Sequence, residues 1–224
     1  MKKVLFCSYR EWASQIIKSV EKNYKKSIEF SKASTKDELL TNIKKENFDL
    51  IFFLGWSEII SASIVNNNFC ICLHPSLLPK YRGGSPIQNQ IINGEEESGI
   101  SFFKMDENID TGPTIYQEKF NIKDIDLDEV FNSIVKSGVN GLDFILKKLV
   151  SDDEIPLVKQ QENEATFYKR RTEEMSEIQL EDFNKFTSKE LHNKIRCLQD
   201  PYPNAFIRCK DGSVLYLKKS DYLL

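Results

Sequence analysis

Three uninterrupted apolar runs limit what this chain can fold into more than any other feature: Val4-Leu5-Phe6-Cys7, the run inside FDLIFFLG at 48–55, and FCICLH at 69–74. A strand wet on one face alternates polar and apolar residues, so an unbroken run marks a strand covered on both. Between the runs the pattern changes. Trp12, Ile16, Ile17 and Val20 recur at helical spacing, KDELLTNIKKEN sets Leu39, Leu40 and Ile43 on one side, and IISASIVNN reads as a short helix or turn. Ile28-Glu29-Phe30 reads as a further strand. Strands alternating with helices predict an α/β fold with a mostly parallel sheet flanked by helices.

Further along, SPIQNQIINGEEE predicts a helix with Ile87, Ile91 and Ile92 inward and Gly94 as its terminator. SGISFFKMD and GPTIYQEKFNI predict paired strands about a tight DENIDTG connection, and DLDEVFNSIVKSGVNGLDFILKKLV a long helix. Gly138 and Gly141 either interrupt that helix or mark close packing. Residues 151–180 read as a polar connector. Thr187-x-x-Glu190 is a capping box for a helix, and a hairpin follows about Asp211-Gly212. The division expected is a catalytic core over 1–164 and a small C-terminal α+β appendage over 165–224.

The 31 basic and 34 acidic side chains leave a net charge of −3, which argues against an electrostatic nucleic-acid binder. MKKVLFC offers only four apolar residues before Ser8, fewer than the about 7–15 of a signal peptide, and no window approaches the roughly 20 of a membrane span. Five cysteines without zinc-site spacing read as reduced thiols of a cytoplasmic protein, and no metal is expected. The charge runs at 95–97 and 152–154 read as solvated faces, and His192 is assigned no role.

One of only two histidines, His74, ends the run FCICLH, and ligands of parallel α/β sheets bind at the carboxyl ends of strands. A hydrogen-bonded core histidine would give the same letters. The loop after it adds Pro75 and Pro79, which fix φ, Gly83 and Gly84, which allow close approach, and the charges of Lys80 and Arg82. Asp110, alone an ordinary turn residue, is the carboxylate that could fix the imidazole tautomer. Ser8-Tyr9-Arg10 precedes the first helix, where an anion could bind or a plain exposed turn could lie; without G-x-G-x-x-G no dinucleotide site is expected.

The stretch LHPSLLPKYRGGSPIQNQIINGEEESGISFFKMDENIDTGPTIYQEKF resembles the 10-formyltetrahydrofolate-dependent formyltransferases, with His74 and Asp110 thirty-six positions apart as in that family. The resemblance implies a Rossmann-like core that binds 10-formyltetrahydrofolate. Trp56 would flank the pterin, Glu58 and Ile60 would offer main-chain groups, and the turn from Asp106 through Asn108 to Asp110 would close over it. The family places an asparagine two residues before the histidine; here that position is Cys72, a weak donor, with Asn89 or a water as the replacement to look for. RCLQDPYPNAF resembles the tail of sugar N-formyltransferases, so the implied acceptor is a nucleotide-linked amino sugar for surface polysaccharide, with a homodimer possible. Ser8, Tyr9, Arg10, Lys80, Arg82 and Ser85 are the candidates on the acceptor side. Methionyl-tRNA formyltransferases share part of the pattern and continue into a larger basic domain, so a tRNA acceptor is the alternative. A binding protein with weakened catalysis is the third.

Overall fold

The three apolar runs form adjacent strands of one sheet. The computed structural model describes residues 1–223. Strands β1 (Lys2–Cys7), β2 (Ile28–Ala33), β3 (Leu50–Leu54) and β4 (Cys70–His74) pair in parallel in the order β2-β1-β3-β4. Helices α1 (Glu11–Tyr24), α2 (Lys36–Lys45) and α3 (Ala62–Asn67) make the crossovers. The two-residue strand β5 (Arg82–Gly83) and helix α4 (Pro86–Ile92) follow. Strands β6 (Glu97–Lys104) and β7 (Thr114–Asn121) then complete the sheet as an antiparallel pair, β6 lying against β4. The mostly parallel α/β architecture is therefore as expected.

The period of two sorts each run onto two cores. Val4, Phe6, Phe52, Leu54, Ile71 and Leu73 face α1 and α5 (Leu127–Val150); Leu5, Cys7, Ile51, Phe53 and Cys70 face Leu39 of α2 and Ile64 and Val65 of α3. Helix α5 runs unbroken through its two glycines. A Cβ on Gly138 would stand 2.4 Å from Ile16 Cδ1, and one on Gly141 2.5 Å from the Phe102 ring. Each glycine costs up to about 1 kcal/mol of helix propensity. Burying Ile16 or Phe102 returns about 1.5–3 kcal/mol, so close packing wins over local preference.

The C-terminal part contains β8 (Phe167–Tyr168), α6 (Ser188–Arg196) under its Thr187/Glu190 capping box, and the hairpin of β9 (Ala205–Arg208) and β10 (Val214–Leu217). Ile178, Ile195, Cys197, Leu198 and Ala205 bury into the same core as α1 and α5, so the appendage has no separate interior. The expected connector is also more than a link. Val158 bridges Thr114 at the start of β7, and β8 pairs with β5, so residues 158–168 form a strap across the sheet end. The boundary expected at 164/165 falls inside that strap. No helix among the described residues is long and apolar enough to cross a membrane.

Candidate active site

The register Cys7↔Phe53↔Cys72 aligns the carboxyl ends of β1, β3 and β4. Period-two alternation puts Cys70, Cys72 and His74 on one face of β4, away from α1 and α5.

His74 is 6% exposed, and its two ring nitrogens have different company. Nε2 lies 2.8 Å from the Tyr81 carbonyl oxygen, an acceptor only, so Nε2 carries a proton and donates it. Nδ1 faces Asp110 Oδ2 at 3.5 Å. The Asp110 carboxylate also accepts the Gly83 N–H at 2.8 Å. The ring can therefore take up and release a proton at Nδ1 without losing its anchor at Nε2. The expected pair is assembled, but the group that fixes the tautomer is Tyr81 rather than Asp110. Tyr81 and Asp110 both hold left-handed backbone, φ +61° and +57°. That conformation costs of order 1–3 kcal/mol for a non-glycine residue and persists where surroundings enforce it. Tyr81 N–H donates to Thr166 Oγ1 at 2.8 Å, its hydroxyl to Glu95 at 2.8 Å, and its ring stacks on Tyr168 with centroids 4.8 Å apart. Glu95 is thus a partner of the site, while Glu96 and Glu97 are exposed as expected of that run.

Cys72 is half-buried. Burial, then the Asp110 charge and the neighbouring Cys70, push its thiol well above the usual cysteine range, so it stands protonated. Asn89, the replacement to look for, spends one of its two amide N–H groups on the Gly84 carbonyl at 2.9 Å.

Ile60, Trp56, Met105 and Cys72 contribute to one apolar cluster beside this pair. Trp56 is held by Tyr9 and Phe53, with ring centroids 5.4 and 5.9 Å away, and its indole N–H is buried without a partner. The main-chain groups of Glu58 and Ile60 enter no backbone hydrogen bond among the described residues. The 106–110 turn closes on itself, Asp106 accepting from the Asn108 N–H at 3.0 Å and from Thr111 Oγ1 at 2.6 Å. An apolar wall, an orphaned donor and free main-chain groups at its edge suit a flat heteroaromatic ring such as a pterin.

The acceptor-side candidates divide. Arg10 is exposed, lies over the Tyr9 ring at 5.4 Å and covers Gly55 with its Cβ and Cγ. Tyr9 bonds Ser57, accepting its N–H at 2.8 Å. The Ser8 hydroxyl is buried without a partner, and Lys80 is exposed. Ser85 accepts the Arg171 N–H at 3.1 Å. Arg82 departs from expectation. It is 0% exposed, and four of its five N–H groups are taken up by Glu162 (2.7 and 2.9 Å) and Gln160 (2.8 and 3.1 Å), so it presents no surface to a ligand. Sequence reasoning missed the Tyr81 carbonyl, which has no letter of its own, and Gln160 and Thr166, which sit in a polar stretch without period.

The profile of the family described as Formyl transferase matches residues 7–142. The methionyl-tRNA formyltransferase of Campylobacter jejuni subsp. doylei is 32% identical over 223 residues, covering 92% of this chain and 70% of that protein. A methionyl-tRNA formyltransferase structure from Clostridium thermocellum superposes with a TM-score of 0.79 at 28% identity, covering 96% of this chain and 97% of that one. A sugar N-formyltransferase structure from a Shewanella species has the same fold, TM-score 0.79 at 21% identity, covering 100% and 99%.

Proposed function

The chain belongs to the formyl transferase family, and from that premise we propose that its acceptor is the primary amine of a nucleotide-linked amino sugar. Formyl transfer is the family's reaction, with 10-formyltetrahydrofolate as donor of the formyl carbon. The observation that carries the site assignment is the imidazole anchored at Nε2 by Tyr81 and open at Nδ1 toward Asp110.

The acceptor nitrogen bonds to the formyl carbon and sheds a proton, and the departing nitrogen of the donor gains one. His74 handles that proton at Nδ1, with Asp110 holding the charge of the imidazolium. Trp56, Ile60, Met105 and Cys72 bound the donor's ring, while Glu58 and Ile60 offer it main-chain groups. Ser8, Tyr9, Arg10 and Lys80 stand on the acceptor side, with the cations suited to phosphate. Ser85 supports that side through the Arg171 backbone.

Charge supports a small acceptor. The net charge is −3, and residues 165–224 hold 11 basic and 9 acidic side chains, without the basic excess that tRNA binding requires. The identity with methionyl-tRNA formyltransferases favours charged initiator tRNA as the second reading. The test is incubation with 10-formyltetrahydrofolate and either a panel of amino-sugar nucleotides or methionyl-tRNA. A mass gain of one CO on a sugar nucleotide is the expected result; transfer to the tRNA alone would overturn it.

A further inference from the structure

We propose that Gln160 is a positioning residue that aims Asp110 at His74. Its side chain is 6% exposed and uses its amide on two sides. Nε2 donates to the Asp110 carbonyl at 2.9 Å and to the Gly112 carbonyl at 2.6 Å. Oε1 accepts from Arg82 Nε at 3.1 Å and Nη2 at 2.8 Å. The two carbonyls flank Thr111, so one nitrogen sets the course of the turn that holds Asp110 at φ +57°.

These contacts close a ring. Arg82 grips Gln160, Gln160 grips the backbone of Asp110, and the Asp110 carboxylate accepts the N–H of Gly83, the residue after Arg82. A turn so fixed leaves its carboxylate one direction, toward Gly83 and Nδ1 of His74. There is little slack, because a Cβ on Gly112 would sit 1.8 Å from the Lys104 carbonyl oxygen. The bidentate Arg82–Glu162 pair holds the far side of the ring. Gln160 thus touches no reacting atom and acts through Asp110. It lies on the strap, outside residues 7–142.

The inference rests on His74 and Asp110 being the working pair, and the experiment separates the two. Gln160→Glu keeps the acceptor that Arg82 needs and replaces the donor with a carboxylate that the two carbonyls repel. With ring-15N histidine, the protein gives two imidazoles, His74 and His192. The expected result is a displaced Nδ1 resonance for His74 with His192 unmoved. On an acceptor the native enzyme formylates, kcat falls about 10²-fold, the cost of a misplacement near 1 Å, with KM for the donor unchanged. An unmoved His74 signal in folded protein overturns the positioning role, whatever happens to activity. A displaced signal with full kcat overturns the role of the pair while leaving the geometry in place. Gln160→Asn, which shortens the reach while keeping both chemistries, serves if the glutamate variant does not fold, and is read by the same two outcomes.

Discussion

Asp110 Oδ2 stands 3.5 Å from His74 Nδ1 and takes the Gly83 amide at 2.8 Å, so one carboxylate oxygen ties the β6–β7 turn both to the end of β4 and to the glycine loop after it. Gly83 lies 27 positions before Asp110, and the Tyr81 carbonyl on His74 Nε2 ties the glycine loop directly to the end of β4 as well. Asp110→Asn keeps the size and an acceptor oxygen but removes the charge that faces the imidazole. Loss of a positioned acid–base group costs about 10²–10⁴-fold in rate, and that range is the expectation for kcat in both Asp110→Asn and His74→Gln. Steady-state kinetics at saturating donor measure it. Native-like turnover in either variant would remove the pair from the mechanism.

The packing of α5 against α1 at Gly138 and against β6 at Gly141 is expected to be intolerant of one methyl. Gly138→Ala and Gly141→Ala both raise helix propensity, yet the new Cβ meets Ile16 Cδ1 at 2.4 Å or the Phe102 ring at 2.5 Å. Ile16 ends in a flexible methyl and can shift; a buried ring cannot move so cheaply. Overpacking costs about 1–3 kcal/mol, so both variants lose stability in urea, Gly141→Ala more than Gly138→Ala. The reverse order, or a gain in stability, would contradict the packing described.

Acid should destabilise the fold partly through Glu118. Burial pushes its carboxyl up, but hydrogen bonds from Tyr116, from Asn140 at 3.1 Å and from Ser137 at 3.0 Å win and hold it below the ordinary 4.5. A folded-state value below the unfolded one gives stability that is present above about pH 4.5 and is lost as pH falls through the folded value. Glu118→Gln removes that charge. Its stability measured by denaturant from pH 6 to 3 should fall less steeply than that of the native chain. Parallel curves would show that Glu118 contributes nothing to the acid limb.

Strand placement was legible because each run is apolar on both faces, and nothing but a covered sheet accommodates FCICL or LIFFL. His74 and Asp110 were legible because a strand end and a tight turn are where side chains escape the core. Arg82 was not, since a charged letter in a glycine loop looks solvated until Gln160 and Glu162, some eighty residues away, are seen to meet it. The strap failed for the same reason. Thr166, Tyr168 and Gln160 show no period because their partners are the backbone and single side chains of the loop, and such contacts leave no mark on spacing. Tyr81 shows the limit most plainly: its decisive atom is a carbonyl oxygen common to every residue.

Cys72 is where substitution should improve the protein. Its thiol is half-buried beside Asp110, and burial together with that negative charge keeps it protonated, so it offers an oxyanion only a weak S–H donor. Two expectations separate its state from its role. In the native protein at neutral pH, iodoacetamide should alkylate exposed Cys209 and leave Cys72 untouched, because the thiolate is the nucleophile. Peptide mapping reads this directly, and rapid alkylation of Cys72 would mean that the thiol is ionised. Cys72→Asn supplies an amide N–H at the same strand position. An oxyanion donor is worth about 2.7–4 kcal/mol, or 10²–10³ in kcat, where the reaction depends on it. A rise in kcat with unchanged donor KM is the expected result. If the asparagine brings no gain, the oxyanion is stabilised elsewhere, and His74 as imidazolium is then the group left to do it.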